Sequence, residues 1–182
     1  MILSGLASFK HRVSLVGHSL GGKTAIKIAC LYPHLIDKLV SLDASPVNRL
    51  LYPHLNQSSE RLIQNAAKFG RPLRRHGLTR RQATRWINKN VSDEVLKQAL
   101  LFNLADSGTF HCNLRAIYEN QEDIYGFENE GIFEGQSLLI NGAKSFQREI
   151  CDDAVFYNES LPNVTNKDIV MVEGAGHGVH FE

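Results

Sequence analysis

At 182 residues, 43% apolar and 21% charged, the chain has the composition of a globular domain with enough apolar mass for a core. Twenty Lys and Arg against 19 Asp and Glu leave a formal charge of +1, so no global field points to nucleic acid or an anionic membrane. No apolar run approaches the roughly 18 residues of a spanning helix. Cys30, Cys112 and Cys151 are odd in number and far apart, which fits neither a disulfide framework nor a zinc ligand set and favours a reducing compartment.

In chain order, Met1 to Arg12 carries no acid and ends Lys10-His11-Arg12. It reads as the tail of a helix leading into a strand, and nothing in it reads as a secretory signal. Val13-Ser14-Leu15-Val16-Gly17 is a short β-branched run that stops at glycine, a buried-strand pattern. From Leu20 to Leu31 the period becomes helical, with Ala25, Ile26, Ile28, Ala29 and Leu31 on one face and Pro33 ending the run. Lys38 to Leu42 is a second strand, closed by Asp43-Ala44-Ser45-Pro46. Strand, tight turn, helix and strand within about 30 residues make a βαβ unit, which implies a parallel sheet.

Residues 47–134 then interrupt the rhythm as a helical insertion, with helices expected near 57–69, 79–89, 92–104 and 112–124. Within it, residues 61–92 hold Arg61, Lys68, Arg71, Arg74, Arg75, Arg80, Arg81, Arg85 and Lys89 and no acid, while acids return from Asp93 to Glu134. The bland reading is a solvated lid with a charge dipole; the alternative is steering of an anionic substrate. Nucleic-acid binding ranks third, because Trp86 and Phe69 are the only stacking candidates within residues 61–92 and the segment matches no binding motif. A third strand, Ser137 to Ile140, a weakly helical stretch at 147–160 and a fourth strand, Asp168 to Val172, complete the chain. The expected organisation is one partial domain, 1–182, carrying the insertion within it.

Gly17-His18-Ser19-Leu20-Gly21 is a G-x-S-x-G sequence that follows a strand and opens a helix, the context of a nucleophile elbow. Ser19 must sit at a strained turn so that its hydroxyl clears the sheet edge. Small residues two before and two after would let the arms of that turn approach. The Leu20 amide, at the helix N-terminus, is then placed to stabilise an oxyanion, and His18 is a supporting neighbour. After the last strand, Gly174-Ala175-Gly176-His177-Gly178 puts a histidine in a glycine-flanked loop able to reach a serine on a neighbouring strand. His180 is its nearby competitor. The orienting acid is open between Asp43, at the end of the second strand, and Asp152 or Asp153, after the third.

Gly17-His18-Ser19-Leu20-Gly21-Gly22-Lys23, Leu42-Asp43-Ala44-Ser45-Pro46-Val47 and Gly174-Ala175-Gly176-His177 together resemble the α/β-hydrolase-domain-containing 11 type of esterase. The resemblance implies an α/β-hydrolase fold, a parallel central sheet with a helical lid, and a Ser…acid…His order. It implies that Ser19 attacks an ester or thioester carbonyl with His177 as base and no metal or organic cofactor. It also implies that Asp43 and Ser145 hold the histidine. The lid acid that some members carry after an Asn-Leu pair is absent, since Arg115 follows Asn113-Leu114. A mitochondrial setting is implied by the resemblance alone, with a cytoplasmic one as the alternative.

Against that family the sequence is incomplete at both ends: it opens just before the nucleophile strand and closes five residues past His177. The strands and the second oxyanion donor expected upstream are missing, and one such donor is worth about 10²–10³ in rate. A piece of this kind, with an exposed sheet flank, is expected to be poorly folded and nearly inactive. The expected partner is a small acyl ester or thioester. The rival function is a truncated, non-catalytic isoform that binds a protein through its basic lid.

Overall fold

Four parallel strands form one sheet in the order β1-β2-β3-β4. The computed structural model describes residues 11–55, 77–92 and 94–181. The strands are β1 (Val13–His18), β2 (Ile36–Leu42), β3 (Gln136–Gly142) and β4 (Ile169–Val172), and α1 (Leu20–Leu31) crosses from β1 to β2. Because every strand runs the same way and neighbours follow in sequence, all four carboxyl ends lie along one edge. The loops that carry candidate chemistry leave from that edge.

The pairing registers divide the sheet into two faces with different fates. Val16 pairs with Val40 and Val40 with Leu138, and Ile140 pairs with Val170. Val16, Leu138 and Val170 are exposed. The alternate residues Leu39 and Leu139 are fully buried against Ile26, Ala29 and Cys30 of α1. Helical spacing lines Gly22, Ala25, Ile26, Ala29 and Cys30 along one stripe, which explains why α1 buries that side. Ile36, Phe133, Tyr157, Leu161 and Val164 complete this core. Apolar burial is worth roughly 25 cal/mol per Å², so it is the α1 side of the sheet that holds the four strands together.

The chain divides into two compact units, one running to Arg49 and resuming at Gly126, the other Leu50–Tyr125. The second contains α2 (Arg80–Asn90), α3 (Glu94–Phe102), α4 (Leu114–Glu119) and α5 (Gln121–Tyr125). Its own core gathers Ala83, Ile87, Val91, Leu100 and Leu104. Thr79 opens α2 with a capping box, its hydroxyl accepting from Gln82 N–H while the Gln82 side chain accepts from Thr79 N–H.

Several element boundaries differ from the sequence reading by a residue or two, and others more deeply. The single helix expected at 112–124 is two short ones, because Asn120 ends α4 and its side-chain amide donates to the Ala116 carbonyl at 2.7 Å. The weakly helical stretch at 147–160 is two 3₁₀ turns, Arg148–Ile150 and Ala154–Phe156. Side chains intercept its backbone groups: Asn166 takes the Ala154 N–H, Asp153 the Val155 N–H, and Asn141 donates to the Cys151 carbonyl. Strand β2 begins two residues earlier than expected, at Ile36, which is fully buried. The helix expected at 57–69 lies outside the described residues, as do Arg61, Lys68, Phe69, Arg71, Arg74 and Arg75 of the basic segment. Of the described basic residues, Arg80 donates to the Leu104 carbonyl and lies 3.5 Å from Asp106.

Candidate active site

Ser19, Asp43 and His177 each follow the carboxyl end of a different strand. Ser19 follows β1, and its N–H continues the ladder to the Leu42 carbonyl at 3.0 Å. Asp43 follows β2 and bonds Ile140 in the same way at 2.8 Å, and the Ala143 N–H reaches Val172 at 3.1 Å. The ladder therefore fixes three of the four loops before any side chain is considered.

Ser19 has φ 55° and ψ −122° as it caps α1, and Asp43 has φ 49°. They are the two non-glycine residues with positive φ among those described, a state that costs on the order of 1–3 kcal/mol at each position. The elbow tolerates this because its arms are close. A Cβ on Gly17 would lie 2.2 Å from the Gly21 carbonyl oxygen, and one on Gly22 would meet Ala44 at 2.8 Å. Gly21 itself faces open space, so the expectation that both flanking positions must be small holds at Gly17 and not at Gly21.

The geometry joins three of the predicted residues directly. Ser19 Oγ lies 2.8 Å from His177 Nε2. On the other side of the ring, Nδ1 lies 2.6 Å from Asp43 Oδ2. A carboxylate only accepts, so Nδ1 carries the proton and Nε2 is left to accept from the Ser19 hydroxyl. Asp43 is fully buried, and three donors meet its carboxylate. Gly142 N–H donates to Oδ1 at 2.9 Å, and the Ser145 hydroxyl donates to Oδ2 at 2.5 Å. Ser145 thus meets the acid, and the printed contact of its hydroxyl is with Asp43.

Asp152 and Asp153, the alternative acids, are engaged elsewhere. Asp152 sits 3.6 Å from Arg148, and Asp153 accepts from Val155 N–H at 3.0 Å. His180 stacks on His18 at 4.4 Å and on Phe181 at 3.9 Å, and it is His177 that meets Ser19. His18 Nε2 donates to the His177 carbonyl oxygen at 2.7 Å, tying the elbow to the histidine loop. Burial, followed by the neighbouring His177 and His180 rings, lowers the pKa of His18, partly offset by that hydrogen bond. Leu20 opens α1, and the first N–H groups of a helix have no acceptor within it.

Two contributors escaped the sequence reading. Gly142 brings its N–H to Asp43 and also lets two loops cross, since a Cβ there would lie 2.1 Å from the Gly176 carbonyl oxygen. Gln147 is almost fully buried. Its Nε2 donates to the Asp43 carbonyl at 2.9 Å and lies 3.3 Å from His177 Nδ1. The available signal was position, two residues after Ser145 in the loop that leaves β3. The Phe146 ring stacks on His177 at 4.7 Å and carries the Arg49 guanidinium 5.4 Å from its centroid. Among the described residues, no group of three or more His, Cys, Asp or Glu could hold a metal ion. No helix among them is long and apolar enough to cross a membrane.

A family model described as the alpha/beta hydrolase fold matches residues 7–182. The chain is 32% identical over 173 residues to a Haemophilus influenzae protein assigned as an esterase/lipase, covering 94% of this chain and 56% of that one. It is 30% identical over 179 residues to the sn-1-specific diacylglycerol lipase ABHD11 of Xenopus tropicalis, covering 92% and 52%. Among solved structures it resembles a marine microorganism esterase with a TM-score of 0.71 and 24% identity, over 93% of this chain and 65% of that one. The chain thus spans about half the length of the curated relatives it matches.

Proposed function

This chain belongs to the α/β-hydrolase family, and because relatives of it are named as esterases and lipases, we propose that it is a serine hydrolase. In this reading it cleaves a small carboxylic ester or thioester through an acyl-enzyme on Ser19. The observation that carries the reading is one imidazole bridging two partners, His177 between Ser19 Oγ at 2.8 Å and Asp43 Oδ2 at 2.6 Å.

The chemistry runs through those atoms. His177 Nε2 takes the Ser19 proton as Oγ attacks the carbonyl carbon, and Asp43 stabilises the imidazolium without becoming protonated. The oxyanion accepts from the Leu20 N–H at the start of α1. As the tetrahedral intermediate collapses, the bond to the leaving oxygen or sulfur breaks and Nε2–H protonates the leaving group. Water then gives its proton to Nε2, attacks the acyl carbon, and Ser19 recovers its proton as the acid departs. No step calls on a metal or an organic cofactor.

Turnover of a short-chain p-nitrophenyl ester and of an acyl thioester by the full-length protein tests this. Ser19→Ala and His177→Ala are expected to reduce kcat by about 10³-fold or more for whichever compound is cleaved. Undiminished turnover in Ser19→Ala contradicts the reading. The mitochondrial setting implied by the resemblance belongs to the same proposal, and fractionation of the source cells tests it.

A further inference from the structure

Asp43 is held at every polar atom. Its N–H goes to Ile140, Oδ1 accepts from Gly142, and Oδ2 accepts from Ser145 and His177. The remaining group, its carbonyl oxygen, accepts from Gln147 Nε2 at 2.9 Å. The orientation of that amide follows from chemistry, because the opposite flip would press the Gln147 carbonyl oxygen against the Asp43 carbonyl oxygen, acceptor against acceptor. The same nitrogen lies 3.3 Å from His177 Nδ1. The Gln147 backbone N–H in turn bonds the Ser145 hydroxyl at 3.1 Å. One residue therefore touches the acid, the base and the serine that braces the acid, and it is only 3% exposed.

Resting on the acyl-transfer reading above, we propose that Gln147 is a positioning residue for that reaction. It locks Asp43 in its left-handed backbone state, so that Oδ2 stays aimed at Nδ1, and it occupies the flank of Nδ1 where water would otherwise compete for the shared proton. A residue in a sparsely populated backbone region persists only where its surroundings over-determine it. Losing the carbonyl anchor lets the Asp43 backbone relax and the carboxylate turn. The consequence falls on the proton held between Asp43 and His177, and hence on the reactivity of Ser19, rather than on substrate affinity.

The test uses the full-length protein and the variants Gln147→Met, which keeps the length without the donor, and Gln147→His, whose ring N–H has similar reach. The rate of Ser19 acylation by a fluorophosphonate is expected to fall about tenfold in Gln147→Met, as for one lost hydrogen bond. The same variant should leave KM for a cleaved ester unchanged and lose the far-downfield proton resonance of a short Nδ1–H···O⁻ bond. Gln147→His should restore most of the rate and the resonance. Wild-type reactivity together with an unchanged resonance in Gln147→Met overturns the proposal. The unmutated protein gives a check that needs no variant to fold: a nuclear Overhauser contact between the Gln147 side-chain amide and the His177 Nδ1 proton, whose absence also overturns it. If the wild-type protein is not acylated at Ser19, the hydrolase reading fails, and the two resonance measurements still decide the role of Gln147.

Discussion

Ser19 and His177, which the structure brings within 2.8 Å, could be singled out in the sequence as candidates because each carries its own local signature, a glycine-framed turn after a strand. The acid could not, since a carboxylate in a turn looks the same whether it orients a histidine or merely bonds its own backbone. What brings Asp43 to His177 is tertiary. Parallel pairing of β1, β2 and β3 brings its strand end beside the elbow, and three donors converge on its carboxylate. Asp152 and Asp153 serve their own loop. Asp43→Asn is therefore expected to reduce kcat by about 10³–10⁴-fold, because an amide facing Nδ1 favours the wrong tautomer. Asp152→Asn and Asp153→Asn should stay within about twofold, as expected of exposed residues outside the site. Steady-state kinetics of the three variants checks this, and a large loss in either of the last two would move the acid. Gln147 was illegible for a related reason, since a glutamine in a loop has no pattern until its partners are known.

At the scale of elements, periodicity located the strands and α1 to within a residue or two, because burial against one core enforces period and spacing together. It failed where side chains take over backbone hydrogen bonds, at Asn120 and through the loop after β3. Helix α1 also contains a buried cation. Lys23 is buried, donates to the Gly126 carbonyl at 3.0 Å and lies 5.8 Å from the Phe127 ring centroid. Burial, reinforced by the charge of Arg49, pushes its pKa down to about 8 from 10.5. With the folded value depressed, the unfolded chain binds more protons between those limits, so stability contributed by this group rises with pH across them. Relative to Lys23→Met, the wild-type protein should gain up to about 3 kcal/mol of unfolding free energy from pH 8 to 10.5. Paired urea titrations measure the gain. A difference that does not change with pH contradicts the burial of a charged Lys23.

At the scale of the molecule, the fold explains why the chemistry lies along one edge. A parallel sheet places all its carboxyl ends together, so residues 158 and 134 positions apart in sequence, Ser19 and Asp43 relative to His177, meet around one imidazole. The α1 side of the sheet is packed, whereas Val16, Leu138 and Val170 on the opposite face are exposed. The insertion was legible as a helical segment, and the structure resolves α2 to α5 within the compact unit Leu50–Tyr125. Its function as a lid was an inference from its place between β2 and β3. Acyl chain and leaving group had no legible signature, because no single stretch of sequence encodes an acyl pocket.

Activation of Ser19 by His177 and Asp43 is read most directly by covalent labelling. The full-length native protein is treated with a fluorophosphonate, and the adduct is located by intact mass and peptide mapping. One phosphonyl group is expected, on Ser19, with the adduct absent from His177→Ala under the same conditions. An unmodified Ser19 in the folded native protein, or equal labelling of His177→Ala, would contradict that activation.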